Sequence, residues 1–246
     1  MCIKNERLQV KEAEFSKKVD AGRRHLAMPL MKSRYDTGYL RSDAALRLLE
    51  LYGIKTPEWQ WFKEEAPQDP VKLKFPVVAK IEHPEVLHKS DAGGVVLNIQ
   101  NEIELRQVTE SLFKSFPGAE AVLIQEQAKI THEVILGGKF EPGIGHLCLV
   151  GAGGTLVELF QDVSMKLMPI CENQAETMIQ SLKTYPLLSG YRGKARVTVD
   201  ELAKVMASFS DMILDLPGIQ EIDLNPVTWD AVSGQCLAVD CRIRVE

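Results

Sequence analysis

The sequence predicts an α+β fold, on three observations. Short β-branched runs such as VVAKIE (77–82) and GVVLNI (94–99) read as strands. Other segments carry apolar residues at three- and four-residue spacing behind capping residues, the signature of amphipathic helices. The two kinds of segment do not alternate regularly, which argues against a doubly wound parallel sheet. The 246 residues are 45% apolar, enough to bury the core of one large domain or two small ones. No internal repeat or low-complexity segment is present.

Taken in order, residues 5–25 are highly charged, with Leu8, Phe15 and Val19 as sparse apolar positions, and read as a peripheral helix. Residues 26–40 carry Pro and Gly and read as a connector. In 42–53, Ala45, Leu48, Leu49 and Tyr52 share one helical face, with Ser42 placed to cap it and Gly53 to end it. Residues 55–74, with Pro57, Pro67 and Pro70, read as a loop-rich bridge. After strands 77–82 and 94–99, Asn101 opens a helix with Glu104 three positions on and Leu105, Val108 and Leu112 on one face. Strands are expected at 121–127, 132–138 and 146–151, then a strand pair, LVELFQ and VSMKLMP, joined at Asp162. Two helices follow. One has the stripe Ala175, Met178, Ile179 and Leu182. The other has the stripe Leu202, Val205, Met206, Phe209 and Ile213 behind a Thr198–Glu201 capping box. Strand 219–227, a turn at Ser233-Gly234 and strand 236–245 close the chain.

The net charge of −5 is spread along the chain, and no basic run interleaves with aromatics, so no nucleic-acid partner is expected. The N-terminus lacks an apolar signal core and no apolar run approaches membrane-spanning length, so a cytoplasmic protein without a membrane partner is expected. The cysteines (Cys2, Cys148, Cys171, Cys236 and Cys241) are odd in number and lack the spacing of a zinc or redox motif. Cys148, Cys236 and Cys241 sit in apolar strand-like runs, and on that basis reduced, buried thiols are expected.

Four constellations carry possible chemistry. The polar loop LHKSDAGGVV (87–96) ends in Gly93-Gly94, and backbone N–H groups in such a loop can approach a phosphate closely. A plain hairpin connection has the same composition. His88 within it is a candidate nucleophile or proton carrier, or a solvated loop histidine. Lys80 is the one charge near the end of FPVVAKI, and points either into a polar cleft or to solvent. Glu126 and Glu133 flank adjoining strands, and carboxylates there suit base amino groups or ribose hydroxyls, though each alone also fits a surface position. Asp223 and Asn225 lie two apart and so face the same side of a strand, where Asp240 on a neighbouring strand could complete an oxygen site suited to Mg²⁺. GAGG (151–154) and GYRG (190–193) are further glycine loops, the second holding Arg192 as a possible phosphate donor.

The order of these motifs is informative as a set. FPVVAKI, HPEVLHKSDAGGVVLNI, VLIQEQ, GAGGTLVELFQDVSMKLMPI, TYPLLSGYRG, IQEIDLNPV and AVDCRI occur in one sequence. From about Ser42 onward the chain thereby resembles the ATP-grasp (β) subunit of ADP-forming acyl-CoA synthetases, relatives of the succinyl-CoA synthetase β chain. The resemblance implies an ATP-grasp fold, two α+β subdomains clasping a nucleotide, over residues 42–246, with 1–41 as a helical extension and connector. It implies a nucleotide site of Lys80, Gly93, Gly94, Gln125, Glu126 and Glu133, with Gln125 and Glu126 beside adenine and Glu133 on ribose. It implies Mg²⁺ ligands Asn225 and Asp240, and ATP or ADP as nucleotide. It makes His88 a phosphoryl carrier, Asp223 an acid near the phosphorylated histidine, and a CoA-binding α subunit the partner in a hetero-oligomer. The chain departs from the family pattern in VGAGG for FGLGG and in Ile130-Thr131-His132 for a Pro-Gly pair. Two rival readings are a non-catalytic module like that of lysine acetyltransferase-like proteins and a self-sufficient carboxylate ligase. Retention of Lys80, His88, Asn225 and Asp240 counts against the first. The short N-terminal region counts against the second.

Overall fold

The computed structural model describes residues 21–63, 71–154, 162–190, 197–230 and 233–246. Expectations for residues 5–20, Pro67, Pro70, LVELFQ and Arg192 fall outside them. The chain builds two antiparallel sheets, each with its own core, so the α+β expectation holds.

The smaller sheet has the order β1-β4-β2-β3, from β1 (Trp59–Phe62), β2 (Val77–Glu82), β3 (Val95–Ile99) and β4 (Ala121–Glu126). One face packs on α3 (Glu102–Ser115) through Ala79, Ile81, Val122, Ile124, Leu105 and Leu112. Asn101 caps that helix as expected, its side chain accepting from the Glu104 amide at 3.0 Å. β1 corrects the loop expected over 55–74. Its four residues pair with the edge of β4, a long-range stabilisation that local composition does not reveal.

The larger sheet runs β10-β8-β5-β6-β7, with β9 also on β8. Its strands are β5 (Glu133–Glu141), β6 (Gly145–Ala152), β7 (Val163–Leu167), β8 (Ile219–Trp229), β9 (Cys236–Ala238) and β10 (Cys241–Val245). One face is covered by α1 (Ala21–Met31), α2 (Ser42–Leu51), α4 (Glu172–Gln180) and α6 (Val199–Asp215), and α5 (Tyr185–Leu188) is a single turn between the last two. The apolar stripes of α4 and α6 are buried as predicted. Within the expected connector, residues 26–31 are helical. Pro29 is accommodated in the last turn of α1, where Ala27 is fully buried and Leu30 and Met31 pack on the core. Residues beyond α1 join the sheet: the Leu40 amide donates to Ile243 O and the Val245 amide to Gly38 O.

Three local expectations are corrected. Ser42 does not cap α2. Arg41 is the N-cap, and the Ser42 hydroxyl donates to Glu82 at 2.7 Å. The Thr198 side chain makes no capping bond to α6. The strand expected over 236–245 breaks at Val239-Asp240, where the Val239 amide bonds Pro226 O and the Asn225 amide bonds Asp240 O. Cys148, Cys236 and Cys241 are buried free thiols, whereas Cys171 is exposed at the N-cap of α4. No helix among the described residues is long and apolar enough to cross a membrane.

Candidate functional site

The site begins on one face of β2. Val77, Ala79 and Ile81 fill the small core, so by the two-residue period Val78, Lys80 and Glu82 face the other way. Lys80 is only 7% exposed. Its Nζ donates to Val239 O at 2.9 Å and to Asp240 Oδ1 at 3.2 Å, at the break between β9 and β10. The break turns the Asp240 carboxylate toward the small sheet, and the lysine ties the two sheets together across a cleft.

That cleft holds a cavity of about 540 Å³ lined by Lys80, His88, Glu133, Asn225 and Asp240. Five of the residues singled out in the sequence, from five separate segments, therefore share one space. Ile130 and Leu97 give it an apolar side suited to a planar ring.

The 87–94 loop enters the cleft from the small sheet. The amides of Ala92, Gly93 and Gly94 bond His88 O, Ser90 O and Lys89 O, closing the loop on itself. Gly93 has φ +75, and a Cβ on Gly94 would meet Ile81 Cγ2 at 2.5 Å. The two glycines shape the loop, and their amides are engaged within it instead of facing the cavity. His88 Nδ1 lies 3.3 Å from Arg242 Nη1. A guanidinium only donates, so Nδ1 accepts. Arg242 also pairs with Asp223 Oδ2 at 3.1 Å. Arg242 thus stands between His88 and Asp223, the acid that the family resemblance puts near a phosphorylated histidine. Burial pushes the Asp223 carboxyl above the ordinary aspartate value, and the Arg242 cation opposes this without cancelling it. His88, Asp223 and Arg242 also line a second cavity of about 640 Å³ on the outer face of the large sheet.

Glu133 opens β5 and lines the cleft, while the glycine loop after β6 presses on it. The Gly153 amide donates to Glu133 O at 2.7 Å, and a Cβ on Gly153 would lie 2.5 Å from Glu133 Cβ. Glu133 also lines a third cavity of about 490 Å³, with His132, Gly153 and Gly154. Gln125 is 1% exposed on the β4 face that carries Leu123 opposite Lys80, and its Nε2 has no hydrogen-bond partner. Glu126 accepts from the Lys74 amide at 2.8 Å. Neither residue is among those lining the 540 Å³ cavity.

Asn225 and Asp240 present an amide oxygen and a carboxylate on adjoining backbone, beside the cationic Lys80. This hard, oxygen-only pair fits Mg²⁺, which keeps several waters and takes its remaining ligands from phosphates. No group of three or more His, Cys, Asp or Glu side chains placed to hold a metal occurs among the described residues, so a closed protein cage is not what this site offers. Sequence reasoning missed Arg242, Lys89 and Glu82. Their contacts with His88, Ser42 and Tyr35 join positions 40 or more apart in the chain, and the one available signal was the placement of Lys89 beside His88.

The ATP-grasp domain family matches residues 32–245. The chain is 36% identical over 220 residues to the β subunit of acetate–CoA ligase (ADP-forming) I from Pyrococcus furiosus, an alignment covering 86% of this chain and 94% of that one. It is 35% identical over 212 residues to 4-hydroxybutyrate–CoA ligase (ADP-forming) from Nitrosopumilus maritimus, covering 83% of this chain but 30% of that longer protein. Among solved structures, acetyl-coenzyme A synthetase 1 of Ca. Korarchaeum cryptofilum superposes with a TM-score of 0.77 at 33% identity, covering 91% of this chain and 100% of that chain. That structure is in complex with coenzyme A and Mg-AMPPCP, with its phosphohistidine segment pointing towards the nucleotide binding site.

Proposed function

This chain belongs to the ATP-grasp family of ADP-forming acid–CoA ligase β subunits, and we propose that it moves a phosphoryl group between ATP or ADP and the carrier His88. The transfer couples acyl-CoA formation or cleavage to ATP. The observation that carries this reading is the convergence of His88, Lys80, Glu133, Asn225 and Asp240 on one cleft between the two sheets.

In the carrier step a ring nitrogen of neutral His88 attacks the γ-phosphorus of ATP. The N–P bond forms, the P–O bond to the β-phosphate breaks, and ADP leaves with that electron pair. The ring keeps its other N–H, so the step balances without a general base. Lys80 neutralises phosphate charge, exchanging Asp240 for the nucleotide. Glu133 accepts from ribose hydroxyls; the family resemblance assigns Gln125 and Glu126 to the adenine, although both stand outside the 540 Å³ cavity. Asn225 and Asp240 would hold Mg²⁺, which supplies charge neutralisation on the phosphates. Once Nδ1 is released, Arg242 is free to meet the phosphoryl oxygens, and Asp223 returns it to place. Gly93 and Gly94 set the loop's shape. The partner is a CoA-binding α subunit in a hetero-oligomer, where the acyl group is chosen.

Co-purification of the partner, followed by an acyl-CoA and nucleotide screen of the complex, tests this directly. His88→Ala is expected to abolish turnover while Mg·ADP still binds. Normal turnover by the complex after that change would exclude the carrier role. The reading of a non-catalytic module predicts no Mg·nucleotide binding in a calorimeter.

A further inference from the structure

Glu82 ends β2 two residues beyond Lys80, on the same face, and is 2% exposed. A carboxylate so deeply buried is stable only if its charge and lone pairs are met. Four donors meet it here. Oε1 accepts from the Tyr35 hydroxyl at 3.1 Å and the Ser42 amide at 3.0 Å. Oε2 accepts from the Ser42 hydroxyl at 2.7 Å and from Lys89 Nζ. Lys89 Nζ also donates to Ser42 Oγ at 2.7 Å. Tyr35 and Ser42 belong to the segment built into the large sheet and its helices, Glu82 to the small sheet, and Lys89 to the loop next to His88.

We propose that Glu82, with Ser42 and Tyr35, forms a socket that seats Lys89, and that the seated Lys89 is the positioning residue that holds His88 at the nucleotide cleft. The loop's internal hydrogen bonds give it a shape, and the Ile81 amide ties its last residue to β2 by bonding Gly94 O at 2.8 Å, but none of these holds His88 itself against the cleft. Outside those bonds, His88 touches Arg242 through one 3.3 Å contact, whereas Lys89 makes an ion pair with its partner almost wholly enclosed. Position along the cleft is therefore set at Lys89. Because transfer rates fall steeply with small misplacements of the reacting atoms, the socket acts on the rate of phosphoryl uptake and not on nucleotide binding. The socket also joins both sheets, so a change in their relative position would reach the loop through Glu82.

The proposal rests on His88 as phosphoryl carrier, and the test separates the two ideas. The full chain is mixed with Mg²⁺ and γ-labelled ATP, and base-stable, acid-labile label is followed in time for the wild type, His88→Ala, Lys89→Met, Lys89→Arg, Glu82→Gln and the Glu82→Gln/Lys89→Met pair. The double variant removes both charges, which keeps an unpaired buried carboxylate from confusing the result. Lys89→Met is expected to slow labelling on the order of tenfold to a hundredfold, with half-saturation by ATP unchanged. Lys89→Arg recovers part of the rate, and the double variant is no slower than Lys89→Met alone, since the two residues act as one unit. A lesion that only loosened the fold would raise the ATP requirement and would not show that non-additivity. Labelling of Lys89→Met at the wild-type rate, with His88→Ala blank, overturns the socket and leaves the carrier standing. No label on the wild type, or label on His88→Ala, overturns the carrier and the socket with it.

Discussion

At the scale of single residues, the trio His88, Arg242 and Asp223 makes the sharpest demands. Arg242 reaches both of the others with different nitrogens of one fork, Nη1 at 3.3 Å and Nη2 at 3.1 Å. A lysine carries the charge but not the fork, so Arg242→Lys is expected to lower phosphohistidine formation about tenfold or more with little change in nucleotide affinity. Rapid-quench labelling beside calorimetry checks this. Asp223 offers a test in pH. Its folded pKa is raised, so between the ordinary aspartate value and the folded value the native chain holds a proton that the unfolded chain has released. The stability this contributes is complete below the ordinary value and is lost as pH rises through the folded one. Asp223→Asn cannot titrate, so its stability relative to wild type should climb with pH across that window and level off above it. Urea midpoints taken from pH 3 to 8 read the difference, and a gap that ignores pH contradicts the assignment.

At the scale of elements, close approach of backbones fixes the site more than propensity does. Gly153 leaves room for Glu133, and a methyl group at that position would meet the Glu133 backbone carbon at 2.6 Å, which cannot swing aside. Gly153→Ala is therefore expected to shift Glu133 and weaken Mg·ADP binding about tenfold, with the loss of one ribose contact of about 1.5–3 kcal/mol as the scale. Titration calorimetry reads it. Asp162, 4% exposed, accepts from the Lys183 and Thr184 amides and the Thr184 hydroxyl at 2.6–2.8 Å. Burial alone would raise its pKa, but these bonds together hold it below the ordinary value. Asp162→Ala should cost about 2–3 kcal/mol, read from denaturant curves near neutral pH. The long amphipathic helices were legible in the sequence because their period repeats several times. β1 and the β9–β10 break were not. A four-residue strand exists because β4 has an open edge, and the break exists because Pro226 and Asn225 bond Val239 and Asp240 across the sheet.

At the scale of the whole molecule, two separately packed sheets are joined by a few polar and aromatic ties. Lys80 reaches Asp240, Glu82 takes Ser42 and Tyr35, and Trp59 Nε1 donates to Glu50 of α2 at 2.7 Å. A ligand that touches both sheets should therefore stabilise the whole chain. At a hundredfold excess over its dissociation constant, Mg·ADP is expected to contribute about 2.7 kcal/mol, which is about 5–10 °C in Tm for a chain of this size. Lys80→Met should remove most of that shift, as thermal scans would show. The ATP-grasp fold could be anticipated because the order of motifs survives in one sequence. Arg242 and the Lys89 socket could not, since each acquires meaning only from partners brought together by folding, such as Arg242 and His88, 154 positions apart.

The central claim is that His88 carries the phosphoryl group, and the most direct measurement is where label from γ-labelled ATP resides. After mixing the full chain with ATP and Mg²⁺ and digesting it at alkaline pH, base-stable, acid-labile phosphate should map to the peptide containing His88. It should be released to ADP as ATP, and be absent from His88→Ala. Label on another residue, or its persistence in His88→Ala, would contradict the account.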